Sequence, residues 1–414
     1  MMKLTPSRYD EGLQGPCAAG QNTCVQWLLF GALAVTAAIT ACLPAGGAEP
    51  PPKVLGLERV IAFTYINKNY DPKQLRSATF VEPTGPKDWQ SWASRGVVAG
   101  VGHTWFDLLR NPVEKAVDIL VKLDYGGNPN PVVSIDEFGF DFGGQTDQKS
   151  AAILRETKRK RPDLRLAVWE MRGPIPKVLA GAYRDVVDLV LLECYVGGKK
   201  DYWWIATQVE AARMHGLLPK TIVALGLGKG GNPGEDWART NEEVEQQIRF
   251  VRLLAPESPG VGFFAAGATP ELMAKADSVC SRFSSLPTDG SGLPGDVVDV
   301  AKVFSKPREK PAIVCSPAWV EPDRSAADPG KLVEPKTMRA YLMNLGQSDA
   351  QEVKVRLRNP KDKGGDVFAA GVVPVVPKRG EAIAVLPVIA KWNVWKTWDI
   401  EIDAPGCEVM VFKF

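Results

Sequence analysis

The sequence predicts a (β/α)8 TIM barrel followed by an all-β sandwich, and three observations predict it. Eight apolar runs of strand length recur between residues 55 and 284. Several of the segments between them carry apolar residues at helical spacing. Beyond the Ser/Gly/Pro-rich stretch 284–294, seven more strand candidates follow with turns and little helix between them. Strands that alternate with crossover helices imply parallel pairing. Eight such units in about 230 residues fit a closed barrel better than an open doubly wound sheet.

The eight barrel strands are expected at Val60–Tyr65, Thr79–Glu82, Val97–Gly102, Val132–Glu137, Leu164–Glu170, Leu189–Cys194, Thr221–Gly226 and Val261–Ala266. Helices are expected at Pro112–Lys122, Gln148–Arg161, Asp201–Leu217, Asn241–Leu254 and Pro270–Phe283, where apolar positions recur every three or four residues. No G-x-G-x-x-G follows the first strand, which argues against a dinucleotide-binding sheet. The barrel is therefore placed at 55–284, a linker at 285–310 and the sandwich at 311–414. Seven short strands in about 100 residues are the mark of a sandwich.

The first 48 residues read as an export signal. No charge occurs between Glu11 and Glu49, and Val25–Ala38 is an apolar core. Gly46-Gly47-Ala48 supplies the small residues of a cleavage site. An alternative is Ile39-Thr40-Ala41-Cys42, which resembles a bacterial lipobox and makes Cys42 a lipid anchor. Either way the rest of the chain is expected outside the cytoplasm, secreted or periplasmic. No other stretch reaches the ~18 apolar residues of a membrane span.

Composition excludes several functions. Fifty Lys and Arg against 48 Asp and Glu leave a net charge of +2, too little for a nucleic-acid partner. Only two histidines, His103 and His215, are present, so a His-rich metal centre is not expected, nor is any cofactor. No C-x-x-C pair occurs. Outside the signal region the cysteines are Cys194, Cys280, Cys315 and Cys407; Cys315 and Cys407 are open to pairing or to remaining free thiols.

Chemistry concentrates where strands end. Val132-Val133-Ser134-Ile135 runs into Asp136-Glu137, Leu166-Ala167-Val168-Trp169 into Glu170, and Leu189–Leu192 into Glu193-Cys194-Tyr195. Acids that end buried strands are costly unless used or paired. Barrel active sites lie at this end, so three neighbouring strands line one mouth with acids. Side-chain alternation puts Val133 and Ile135 toward the helices and Ser134 and Asp136 toward the interior. Glu193 and Tyr195 share a side in the same way. Glycoside hydrolysis needs two carboxyls, one protonated to serve the leaving oxygen and one ionised. Asp136 and Glu193 are the expected pair, with Glu137 and Glu170 as substitutes. Tyr65, His103, Trp105, Trp169, Tyr195 and Trp203 are expected to bind sugar, by hydrogen bonds or as flat platforms. The alternative for each acid is a helix cap or an ion pair with Arg172 or Lys199.

In these strand ends the chain resembles barrel glycoside hydrolases. In the α-galactosidase-like clan, strands four and six end in Asp; Asp136 and Glu193 occupy those places, the second as Glu. In the chitinase-like family strand four ends in D-x-x-D-x-D-x-E and strand six carries a Tyr. Tyr195 resembles that Tyr, whereas Ser134-Ile135-Asp136-Glu137 lacks the repeat. In the C-terminal part, Asn344-Leu345-Gly346 resembles a turn of Ig-like accessory domains. The resemblance implies an exported hydrolase of a poly- or oligosaccharide. Two other readings stand beside it. One is a non-catalytic carbohydrate-binding or envelope scaffold with a degenerate barrel. The other is a phosphosugar enzyme using Gly226–Gly234, a stretch read here rather as a loop covering the substrate. Trp392, Trp395 and Trp398 form a sugar-binding stripe or fill the sandwich core.

Overall fold

The computed structural model describes residues 53–66, 71–82, 88–138, 144–171, 175–197, 202–229, 237–322, 336–359, 365–390 and 399–412. The export signal with Cys42, the ion-pair candidates Arg172 and Lys199, most of the Gly226–Gly234 loop and the three C-terminal tryptophans lie outside these residues.

Nine parallel strand segments form one sheet: β1 (Val60–Thr64), β2 (Phe80–Glu82), β3 (Val98–Ala99), β4 (Val101–Thr104), β5 (Val132–Phe138), β6 (Arg165–Glu170), β7 (Leu189–Cys194), β8 (Thr221–Gly228) and β9 (Gly260–Gly267). β9 pairs with β1, β2 with β3, and β4 with β5. β3 and β4 are two halves of one stretch interrupted at Gly100. Counted together, they make eight strands running around a near-closed barrel, in the order the sequence predicts.

Each strand alternates between two cores. Val60, Ala62, Phe80, Val132, Ala167, Trp169, Leu189, Leu191, Ile222 and Ala224 fill the barrel interior. Ile61, Phe63, Val133, Ile135, Leu166, Val168, Val190 and Leu192 face the surrounding helices. This two-sided burial explains why the strands read as continuous apolar runs.

The helices follow the expected periodicity. Five of them, α3 (Val113–Lys122), α4 (Gly144–Lys160), α6 (Tyr202–Met214), α7 (Asn241–Leu254) and α8 (Pro270–Cys280), fall where the sequence places them. Thr240 begins α7 with a capping box, accepting from the Glu243 N–H while the Glu243 side chain accepts from the Thr240 N–H. Short helices at Trp89–Ala93 (α1) and Trp105–Leu109 (α2), and the longer α5 (Lys177–Val186), are additional. The stretch 285–310, read as a linker, contains α9 (Gly295–Ser305). Its Val297, Val300, Ala301 and Phe304 are buried, and the helix packs on α6 and α7. The Ser/Gly/Pro composition ends at Pro294, which caps this helix.

The C-terminal part is all β. One sheet contains β10 (Ala312–Cys315), β11 (Val320–Pro322), β12 (Thr337–Asn344) and β17 (Glu408–Val411), with β15 (Gly380–Pro387) paired to β12. The other joins β13 (Ala350–Arg358), β14 (Val367–Val376) and β16 (Asp399–Asp403). Ile313, Met338, Ala340 and Leu342 of the first sheet share a core with Val353, Val355, Leu357 and Phe368 of the second. Asn344 ties the turn after β12 together. Its side chain accepts from the Ala312 and Gly346 N–H groups and donates to the Ser348 and Val376 carbonyls.

Part of the opposite face of the first sheet is covered by the barrel helices. Val314, Tyr341 and Met343 join the core of the barrel helices. Trp203 on α6 stacks on Phe412 with ring centroids 4.4 Å apart, and lies 5.8 Å from Phe304 of α9. Arg379 after β14 also donates to the buried Glu210 of α6. Trp203 is therefore an interface residue rather than a sugar platform. It belongs to the helix layer, which lies outside the strands. Trp203→Ala should lower stability by about 2–4 kcal/mol. Urea unfolding of the variant, followed by tryptophan fluorescence and circular dichroism, measures it.

Candidate active site

The inward positions at the carboxyl ends of the strands bring together Glu82 (β2), Asp136 (β5), Glu193 (β7) and Tyr195, which follows β7. Of the four predicted acids, Asp136, Glu137 and Glu193 meet there and Glu170 does not. Glu137 joins Asp136 through a bulge. Ile135 pairs with Val168, but the next register pair is Phe138 with Glu170, so β5 holds one extra residue. That residue is Glu137, which adopts a left-handed backbone with φ +55°. After it, Phe138 points outward, fully buried between Trp105 and Tyr183 at centroid distances of 4.4 and 5.8 Å. Two consecutive acids thus serve one mouth, which plain alternation forbids.

Glu170 shares the outward side with Leu166 and Val168 and accepts a hydrogen bond from the Tyr183 hydroxyl of α5. It is a buried layer residue, not a substitute catalyst, although its charge reaches Glu193. His103 likewise faces outward. It pairs in register with Ile135, while Thr104 pairs with Asp136. The strand runs two residues past Gly102, its expected end, so Thr104 is the inward neighbour and His103 is not. The His103 Nε2 is buried without a partner among the described residues, and burial lowers the imidazole pKa despite Asp107. Trp105 opens α2, is fully buried, and packs on Phe138. It is core, not a sugar platform, because the chain turns into a helix immediately after the strand.

Trp169 does face the interior, one layer beneath the acids. Its Nε1 donates to the Ser134 Oγ at 3.0 Å, and it is buried, forming the floor of the mouth. Tyr65 follows β1 with φ +47°. Its hydroxyl donates to Asp136 Oδ2 at 2.7 Å. The aromatic side of the mouth is continuous. Tyr65 lies 4.9 Å from Phe264, Phe264 5.3 Å from Tyr195, and Tyr195 5.1 Å from Trp237. Gly226 admits Trp237, because a Cβ there would fall within 2.4–2.8 Å of the indole. Gly226–Gly228, expected as part of a loop, is the end of strand β8.

The carboxyls differ in environment. Burial raises Asp136 above the usual carboxylate range, but the Tyr65 hydroxyl and the Glu137 N–H, 3.1 Å from Oδ1, favour its anion. Burial pushes Glu193 far up, and the charges of Asp136, Glu137 and Glu170 push it further, against a hydrogen bond from Tyr195. Its Oε1 is buried with no partner among the described residues. Burial, then Asp136, raises Glu137. Glu82 is raised by burial to about 8. Glu82 is the acid that sequence reasoning passes over. The signal is present, an acid closing a strand, but three residues show too little alternation to say which way it points. Phe264 is missed because its residue type does not by itself signal a site.

Among the described residues, no three His, Cys, Asp or Glu side chains cluster as a metal site. No helix of the described residues is long and apolar enough to cross a membrane. Cys194, Cys280, Cys315 and Cys407 are free thiols.

No protein-family model matches this chain, and no curated protein matches it. Solved structures resemble it distantly. A chitinase from Chromobacterium violaceum is 12% identical, with 54% of this chain and 99% of that one covered at a TM-score of 0.39. A chitinase from Bacteroides thetaiotaomicron is 10% identical, over 56% and 98%, at 0.40. A glycoside hydrolase family 5 protein from Bacteroides vulgatus is 12% identical, over 82% and 92%, at 0.36.

Trp105→Ala should destabilise the fold by about 3–5 kcal/mol, as a core truncation does. Denaturant unfolding of the variant checks it; unchanged stability with selective loss of a carbohydrate ligand would return Trp105 to the mouth.

Proposed function

We propose that the barrel is an exported glycoside hydrolase acting on O-glycosidic bonds of a poly- or oligosaccharide, with Glu193 as general acid and Asp136 as nucleophile or stabilising carboxylate. The observation behind this reading is the divergence of two carboxyls in one mouth. Glu193 is desolvated and surrounded by like charge, which favours its protonated form at neutral pH. Asp136 accepts from Tyr65 and from a backbone N–H, which favours its anion. A glycosidase needs this division of labour. Glu193 donates its proton to the departing oxygen as the C–O bond breaks. Asp136 meets the positive charge that develops on the sugar ring, and water then supplies the hydroxyl of the product. The aromatic side built by Tyr65, Phe264, Tyr195 and Trp237 offers apolar surface to the C–H faces of a sugar. No cofactor is invoked.

The first experiment incubates protein lacking residues 1–48 with a polysaccharide panel and measures new reducing ends. Asp136→Asn and Glu193→Gln should each cut turnover at least about 100-fold, the scale of a lost general acid. Their circular dichroism and thermal midpoints should stay near wild type. Wild-type turnover in both would sink the assignment. Retention on a polysaccharide without hydrolysis would favour the carbohydrate-binding scaffold.

The pH dependence has a defined sign. The rate needs Glu193 protonated, so it is present below the raised pKa of Glu193 and is lost as pH rises through it. It also needs Asp136 ionised, so it falls as pH drops through the Asp136 pKa. Tyr65→Phe removes a donor that favours the Asp136 anion. The acidic limb of kcat/KM should therefore move up by roughly 1 pH unit, the equivalent of one hydrogen bond to a charged group. An unmoved limb would show that the Tyr65 hydroxyl does not govern the group titrating there.

A further inference from the structure

Glu82 turns its carboxyl toward the barrel interior beside Gly100 of the neighbouring strand. A Cβ at Gly100 would lie 2.9 Å from the Phe80 ring, which takes the space of a side chain there, and 3.5 Å from Glu82 Oε2, an ordinary contact. The carboxyl comes beside the Ser134 hydroxyl and the Trp169 indole, both of which favour its charged form. Those two groups are themselves joined by the 3.0 Å hydrogen bond beneath Asp136. Glu82 is only 4% exposed, and its Oε2 has no partner among the described residues. The titratable groups facing it are Asp136 on β5, Tyr65 after β1 and Tyr195 after β7. No cation is among the groups that shift it.

We propose that Glu82 is a positioning residue of the mouth: a buried carboxyl beside Trp169 and Ser134 that holds this pair in place beneath Asp136. The proposal rests on the glycosidase reading. Burial dominates the Glu82 environment and pushes its pKa up to about 8. At neutral pH this favours the protonated form, and Asp136 then ionises with less opposition from it. Above that pH Glu82 acquires a charge facing Asp136, and like charges in a desolvated space raise each other's proton affinity.

Two measurements test this, and the first needs no activity. The folded pKa of Glu82 lies above the reference value of 4.5. The folded state therefore holds a proton that the unfolded chain releases, and stability from this group is full below the unfolded pKa and lost as pH rises through about 8. The thermal midpoint of wild type should fall relative to Glu82→Gln between about pH 5 and 9. Parallel curves would overturn the proposal. The second is the kcat/KM profile on a responsive polysaccharide. Wild type should lose activity as pH rises through about 8, where Glu82 gains its charge, and Glu82→Gln should lack that step. Glu82→Ala should fall at least about tenfold below Glu82→Gln in kcat with KM little changed, because only the amide still holds the pair. Equal kcat in the two variants with an unmoved alkaline limb, or a folded but inactive Glu82→Gln, would overturn the positioning role. If no glycan is hydrolysed but the midpoint difference appears, the glycosidase reading falls and the buried neutral acid stands.

Discussion

The mouth of this barrel is governed by the desolvation of carboxyl groups inside a closed ring of strands. Glu82, Asp136, Glu137 and Glu193 are all raised chiefly by burial, and no lysine or arginine is among the causes that shift any of them. Without countercharge, only protonation or hydrogen bonding stabilises such groups. Asp136 has two donors, Tyr65 and the Glu137 N–H; the Glu193 Oε1 and the Glu82 Oε2 have no partner among the described residues. Burial outweighs the Ser134 and Trp169 groups at Glu82 and the Tyr195 hydrogen bond at Glu193.

Backbone geometry decides which acids share this space. The single extra residue in β5 turns Glu137 into a left-handed position and reverses the side-chain alternation after it. Phe138 then closes the outer layer against Trp105 and Tyr183, and Glu170, opposite it in the ladder, points the same way. Strained non-glycine residues at Tyr65 and Glu137 flank Asp136 from two strands. Strain of this kind persists only where the surroundings hold it. Here the fully buried Phe138 and the Tyr65–Asp136 hydrogen bond hold both ends.

The C-terminal sheets share apolar core with the barrel helices. Tyr341, Met343 and Val314 face the same cluster as α6 and α9, and Trp203 and Phe412 stack across the boundary. Polar groups follow the same route, with Arg379 on Glu210, and His215 3.1 Å from Glu381. The same α6 carries Trp204, whose Nε1 donates to the carbonyl of Glu193 at 3.2 Å. The helix that carries the interface also secures the backbone of the proposed acid.

By itself the sequence determined the eight barrel strands, the change to β structure near residue 311, and the inward direction of Asp136, Glu193 and Tyr195. Those features follow from local period: apolar runs of strand length, helical spacing between them, and two-residue alternation along a regular strand. Only the tertiary structure decided the rest. It turned His103 outward, because that strand runs past its expected end, and Glu170 outward, because it shares the side of Leu166 and Val168. Trp105 went into the core and Trp203 into an interface, since an aromatic at a loop has no local property that says which surface will meet it. Glu82 came beside Asp136 across a strand whose inward position is glycine. That approach joins side chains from separate strands, and no periodicity along one segment encodes it.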